Sequence, residues 1–294
     1  MCNYISQFET YLQQNKKASQ NTVTSYIRDI TAFNAFEYLS GKKDITKCVE
    51  KDVTAYISHL KEDGKSSSTI VRAIASLRSF YTFLMTKNAV KTNPTKGIKS
   101  EKQAKKLPRI LTNKEVDLFL SQPKGDSIKG YRDKAMLEIL YATGIRVSEL
   151  IALNVNDVNT LLGFVKCGKT NNERVIPIYS TAVSTVEDYL NSARPLLITN
   201  PAETALFVNL NGTRITRQGF WKIIKYYQEK ANIKTDITPH VLRHSFAAHL
   251  LENGADIEVI KEMMGHSDIS STLVYAQLIK NNLKSSYIKF HPRA

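Results

Sequence analysis

The chain has 294 residues, 42% of them hydrophobic and 23% charged, which is enough apolar side chain for two cores and excludes a largely disordered chain. Lys and Arg outnumber Asp and Glu 41 to 27, and the resulting charge of +14 favours a polyanionic partner, because each neutralised phosphate releases counterions. No apolar run approaches the ~20 residues that span a bilayer. The first twenty residues lack the apolar stretch of a secretory signal, and Cys2, Cys48 and Cys167 are odd in number without CxxC spacing. A cytoplasmic protein with no membrane contact, disulfide framework or zinc site is expected.

Residues 1–96 read as short helices joined by polar turns. Tyr4, Ile5, Phe8, Tyr11 and Leu12 follow a 3.6-residue period, and Ser19 or Asn21 caps a second helix through Tyr26, Ile30 and Phe33. Val53, Tyr56, Ile57 and Leu60 repeat the pattern over 51–63. A further helix follows Ser66–Ser68 and runs through Ile74, Phe80 and Leu84. Four or five such helices make a small all-α domain. The stretch 91–111, rich in Lys with two prolines and a glycine, is the best linker candidate. Residues 1–106 carry 18 Lys/Arg against 9 Asp/Glu, the remainder 23 against 18, so the smaller segment is the more basic.

From Leu111 the pattern is again mainly helical. Thr112 with Glu115 forms a capping-box pair, and an apolar helix over 131–142 ends near Gly144. Residues 163–178 alternate apolar and polar on either side of a GKTNN turn, predicting a β-hairpin. Helices are expected over 219–231 and 239–252. The second starts at Thr238-Pro239 and stops at Asn253-Gly254.

Four segments offer chemistry. Arg146 lies just past Gly144, at the start of a new turn. Lys169 sits in the hairpin turn, with Lys166 and Arg174 as nearby competitors. His240 and Arg243, three apart, share a face in the first helical turn, where backbone N–H groups and the dipole favour an anion. His240 and His244, at i and i+4, could chelate a metal, but there is no HExxH and no local carboxylate joins them. His244 and His249 read as core or interface histidines. His266 follows the helix-ending Gly265, and Tyr275 falls in the next helix among Leu273, Val274 and Leu278, where by itself it would be a packing residue.

In this order ATGIRVSEL, the GKTNNERVIP hairpin, HVLRHSFAAHLL, MGHSDISST and the downstream tyrosine resemble the tyrosine recombinase family, its Xer branch in particular. The resemblance implies a mainly α fold: a small SAM-like, core-binding DNA-clamp domain over 1–98, a linker over 99–110 and a mostly helical catalytic domain with a small β-hairpin over 111–294. It implies Tyr275 as nucleophile forming a 3′-phosphotyrosine, Arg146 and Arg243 as the phosphate clamp, Lys169 as general acid, His240 and His266 in proton and hydrogen-bond roles, and Glu149 as a brace. No cofactor or metal is implied, since Arg and Lys supply the positive charge. The implied partners are double-stranded DNA at a specific site, three further protomers of the same or a related recombinase, and a septal DNA translocase; residues 279–294 are candidates for packing on a neighbouring protomer. The implied activity is resolution of chromosome or plasmid dimers, hence chromosome partition at cell division, with integration of a mobile element or type IB topoisomerase-like relaxation as alternatives. One departure stands beside the tyrosine: Ala276-Gln277 follows it where many Xer-like sequences have Thr-His.

Overall fold

The computed structural model describes residues 3–41, 44–99, 108–168, 173–265, 272, 273 and 275. The chain divides into two compact units, 1–105 and 106–294.

The first unit holds helices α1 (Asn3–Gln14), α2 (Gln20–Leu39), α3 (Glu50–Glu62) and α4 (Ser67–Thr86), with a 3-10 turn at Ile45–Lys47. Local chemistry sets their starts: the hydroxyls of Ser19 and Ser66 accept from the N–H groups of Thr22 and Thr69. The apolar stripes meet in one core around Phe8, Phe33, Tyr56, Leu77 and Phe80. Buried Asp29 on α2 is held from α4 by both Arg72 (2.9 and 3.0 Å) and Ser76 (3.0 Å). The linker candidate begins as folded structure. Asn93 Nδ2 donates to the Arg78 carbonyl, Thr95 is fully buried, and Arg78 Nη2 donates to the Ile98 carbonyl at 2.8 Å. The lysine-rich composition of this stretch concealed these anchors on α4.

The second unit runs α5 (Asn113–Leu120), α6 (Ile128–Thr143), α7 (Val147–Leu150), strands β1 (Val158–Asn159), β2 (Phe164–Cys167) and β3 (Arg174–Pro177), then α8 (Ser180–Asp188), a π turn at Tyr189–Ala193, α9 (Arg194–Leu197), α10 (Arg217–Lys230), α11 (Pro239–Glu252) and α12 (Ile257–Met264). The mainly helical class with a small antiparallel hairpin holds. β1, which pairs with β2, and the α8–α9 segment are elements that the sequence pattern did not predict. In the hairpin Val165 faces Ile176, both buried, while Lys166 and Val175 point outward. The same alternation turns Cys167 and its partner Arg174 inward.

α6 is the central helix and packs on α8 and α11. It is buried on most of its circumference, including Arg132, Asp133 and Glu138, so its apolar period is weak although it sits in the core. Arg132 and Tyr227 satisfy Asp133, the former at 2.7 Å. α6 ends at Gly144 with φ +58°, and a Cβ there would lie 2.2 Å from the ring of Phe246 on α11. The glycine therefore allows both the left-handed cap and the close approach of α11. Among the described residues no helix is long and apolar enough to cross a membrane.

Candidate active site

The two arginines expected to clamp a phosphate converge on one loop. Arg243, on α11, is buried; its Nη1 donates to the Gly144 carbonyl and its Nη2 to the Met264 carbonyl at 2.6 Å. Arg146 caps α7, and its half-exposed guanidinium donates to the Gly265 carbonyl at 3.0 Å. The ends of α6 and α12, both closed by left-handed glycines, thus bring together side chains about a hundred residues apart in sequence. Burial, then the charge of Arg146, lowers Arg243 to about 10, so it remains charged at neutral pH.

Glu149 organises this cluster. Its carboxylate accepts the Arg146 backbone N–H at 2.8 Å, closing a capping box on α7, and takes a bidentate contact from Arg174 at 3.1 and 2.9 Å. Burial raises its pKa, but the Arg174 hydrogen bonds, the Arg146 N–H and both guanidinium charges outweigh that and hold it below the ordinary carboxylate value. A cavity of about 360 Å³ opens beside these groups, lined by Arg146, Glu149, Lys166, Glu173, Arg174 and Gly265.

Tyr275 is helical and 1% exposed, packed against Phe246, Ala247, Ile260 and Met264. Burial raises its pKa, opposed by the nearby charge of Arg243. Its hydroxyl is 2.6 Å from Nδ1 of His244, and the two rings lie 5.6 Å apart. The sequence pattern reads His244 as a core or interface histidine, and the family resemblance gives the proton and hydrogen-bond roles to His240 and His266. In the structure His240 is exposed, with its ring 6.5 Å from that of His244. The signal that could have singled out His244 was its i, i+4 relation to His240 on the face that also meets Tyr275. Burial, followed by the charges of His240 and Arg243, lowers His244 to about 4, so its ring is neutral at pH 7 and shares a hydrogen bond with the phenol through Nδ1. His249 is a packing histidine, bonded at both ring nitrogens by Tyr141 and the Leu111 carbonyl.

Lys169 and His266 lie outside the described residues, as do Cys2 and the C-terminal segment 279–294. Of the competitors to Lys169, Arg174 is committed to Glu149, and Lys166 pairs with Glu173 across the hairpin at 3.0 Å. One trio among the described residues, Glu37, Cys48 and Asp52 of the first unit, brings potential metal-ligand atoms within 4.8 Å. Burial and the charge of Glu37 push Cys48 up to about 12, so the thiol keeps its proton and donates to Glu37 at 3.4 Å.

Residues 109–282 match the phage integrase family, and residues 5–88 match the phage integrase N-terminal SAM-like domain. The chain belongs to the phage integrase family. It is a tyrosine-type site-specific recombinase resembling the Xer enzymes. Among its relatives are proteins called tyrosine recombinase XerD from Oceanobacillus iheyensis, 47% identical over 99% of this chain and 98% of that one, and from Halalkalibacterium halodurans, 42% identical with the same coverage. The fold is shared with a crystal structure of the XerH site-specific recombinase on its difH substrate, at a TM-score of 0.76 and 22% identity over 96% of this chain and 83% of that one. It is also shared with the Tn1549 transposon integrase in complex with a circular-intermediate DNA, at a TM-score of 0.75 and 20% identity over 95% and 99% of the two chains.

Proposed function

We propose that the recombinase cuts and rejoins double-stranded DNA at a specific site through a 3′-phosphotyrosine on Tyr275. The phenol oxygen attacks phosphorus, the bond to the 5′-oxygen breaks, and a 5′-hydroxyl leaves. A 5′-hydroxyl from the partner strand then attacks the phosphotyrosine and releases the phenol. The bond energy stays in the enzyme link, and one difficult exchange becomes two easier ones. Arg146 and Arg243 stabilise the charge that builds on the non-bridging oxygens, a preorganised contribution whose removal commonly costs ~100–1,000-fold in rate. Lys169 supplies the proton to the leaving oxygen, His240 takes the phenol proton and His266 bonds a phosphate oxygen.

The observation that carries this reading is the convergence of Arg146 and Arg243 on the Met264–Gly265 backbone, with Tyr275 within reach of the Arg243 charge. Tyr275 is buried on His244, so this is a resting arrangement: attack requires the phenol to exchange His244 for the phosphate. End-to-end similarity to proteins named XerD supports Xer-like site-specific recombination; on this reading the enzyme resolves dimers in the cytoplasm, as four protomers on two sites with a translocase as the signal, rather than integrating a mobile element. A Tyr275→Phe comparison tests the nucleophile. Wild-type protein mixed with genomic DNA and denatured should carry covalent DNA whose sequenced ends share one site. The Tyr275→Phe protein should carry none, and adducts formed by it would refute the assignment.

A further inference from the structure

Three arginines meet three consecutive carbonyls at the end of α12. Arg174 Nε donates to the Met263 carbonyl (2.6 Å), Arg243 Nη2 to Met264 (2.6 Å) and Arg146 Nη2 to Gly265 (3.0 Å). Carbonyls of a last helical turn lack partners in the helix and carry the negative end of its dipole, so cations are favoured there. Two of these arginines already have a part in the proposed reaction. Arg174 has none.

Its side chain is nevertheless only 9% exposed, and all three of its guanidinium nitrogens are used. Two form the fork on Glu149, and the third holds Met263. Its planar group lies against Gly265: a Cβ at that residue, whose φ is +61°, would sit 2.9 Å from Nη1 and 3.0 Å from Cζ. Arg174 therefore fixes both supports of Arg146, the Glu149 carboxylate and the Gly265 backbone. Arg146 needs them. Its own side chain is 45% exposed, and an ion pair at such exposure does little by itself to hold one geometry.

We propose that Arg174 is a positioning residue for strand cleavage, holding Glu149 and the end of α12 so that the Arg146 guanidinium stays aimed at the scissile phosphate. The inference rests on the reading of Arg146 given above. It requires arginine in particular, because a lysine keeps the charge but lacks the planar fork and the third donor. Misplacing a positioned group by about 1 Å can cost ~100-fold.

The test is single-turnover formation of the covalent adduct on a nicked duplex bearing the site recovered from genomic DNA. Wild-type, Arg146→Ala and Arg174→Lys proteins are compared, each first shown to be folded by a thermal melt; Arg174→Gln replaces Arg174→Lys if the latter does not fold. Arg174→Lys should slow adduct formation about 10–100-fold while duplex affinity stays within about twofold. On a duplex with a neutral methylphosphonate at the scissile position, where there is less charge for Arg146 to stabilise, the rate deficits of both variants should shrink together. An Arg174→Lys protein that cleaves at the wild-type rate overturns the proposal. So does one that is slowed by the same factor on both duplexes, or one that is slowed only through weaker binding. An Arg146→Ala protein with wild-type activity would instead refute the clamp itself, which separates that failure from this one.

Discussion

The hydrogen bond between Tyr275 and His244 joins a buried phenol to a half-buried imidazole. The phenol keeps its proton and the imidazole is neutral, so the bond joins two uncharged groups, each able to donate or accept. Burial lowers this histidine to about 4 from an ordinary 6.5. The sign follows from linkage: the unfolded chain binds the proton first, so this contribution to stability is whole above about 6.5 and is lost as pH falls through about 4. An NMR titration should show one histidine with a midpoint near 4 that disappears in His244→Gln; a His244 midpoint near 6.5 would rule out the pairing. His244→Ala leaves the buried phenol without that partner and should cost about 1–3 kcal/mol in urea denaturation. Tyr275→Phe should cost less, because half-buried His244 can turn to water. His240 and Arg243 could be picked out from their place in a capped first turn. The i, i+4 relation to His240 marks His244 as well, but not its pairing with Tyr275, because that hydrogen bond joins residues 31 apart through folding alone.

Helix boundaries followed from local chemistry wherever a side chain closes its own turn. The Thr112–Glu115 box, the Ser19 and Ser66 caps and the Thr238-Pro239 start are interactions within three residues, so sequence alone carries them. The folded stretch 93–98, the buried charges of α6 and the arginine cluster on α12 were not legible, because each depends on partners far along the chain, 119 residues in the case of Arg146 and Gly265. Glycines give a test at this scale. Gly144 and Gly254 both follow helices with positive φ, but only Gly144 has a neighbour, the Phe246 ring, where a Cβ would go. Gly254→Ala should cost about 1–2 kcal/mol of backbone strain alone. Gly144→Ala should add about 1–3 kcal/mol of overpacking and displace the carbonyl that Arg243 holds. Equal destabilisation in urea would mean that the close approach of α6 and α11 is not what Gly144 serves.

For the molecule as a whole, charge is the property that sequence reports most directly and structure refines least. The excess of +14 is unevenly divided, with 18 Lys/Arg against 9 Asp/Glu in residues 1–106. Some basic groups are already engaged inside the protein: Arg72 on Asp29, Arg132 on Asp133 and Arg174 on Glu149. These cannot also neutralise phosphates, so the number available to DNA is smaller than the composition suggests, though still ample for a site of several phosphates. If about six to ten phosphates are neutralised, affinity for the recovered site should fall ~10³–10⁵-fold between roughly 50 and 200 mM salt, with the logarithm of the binding constant linear in that of the salt concentration. Replacing exposed lysines of the first unit, such as Lys51 or Lys65, should flatten that slope by about one for each phosphate left without its cation. Removing Arg72 should leave the slope unchanged while lowering stability, because that guanidinium is paired with Asp29. A slope flat across this range would mean that phosphate neutralisation does not carry the binding. A slope that fell with Arg72→Ala would mean that the structural ion pair opens on DNA.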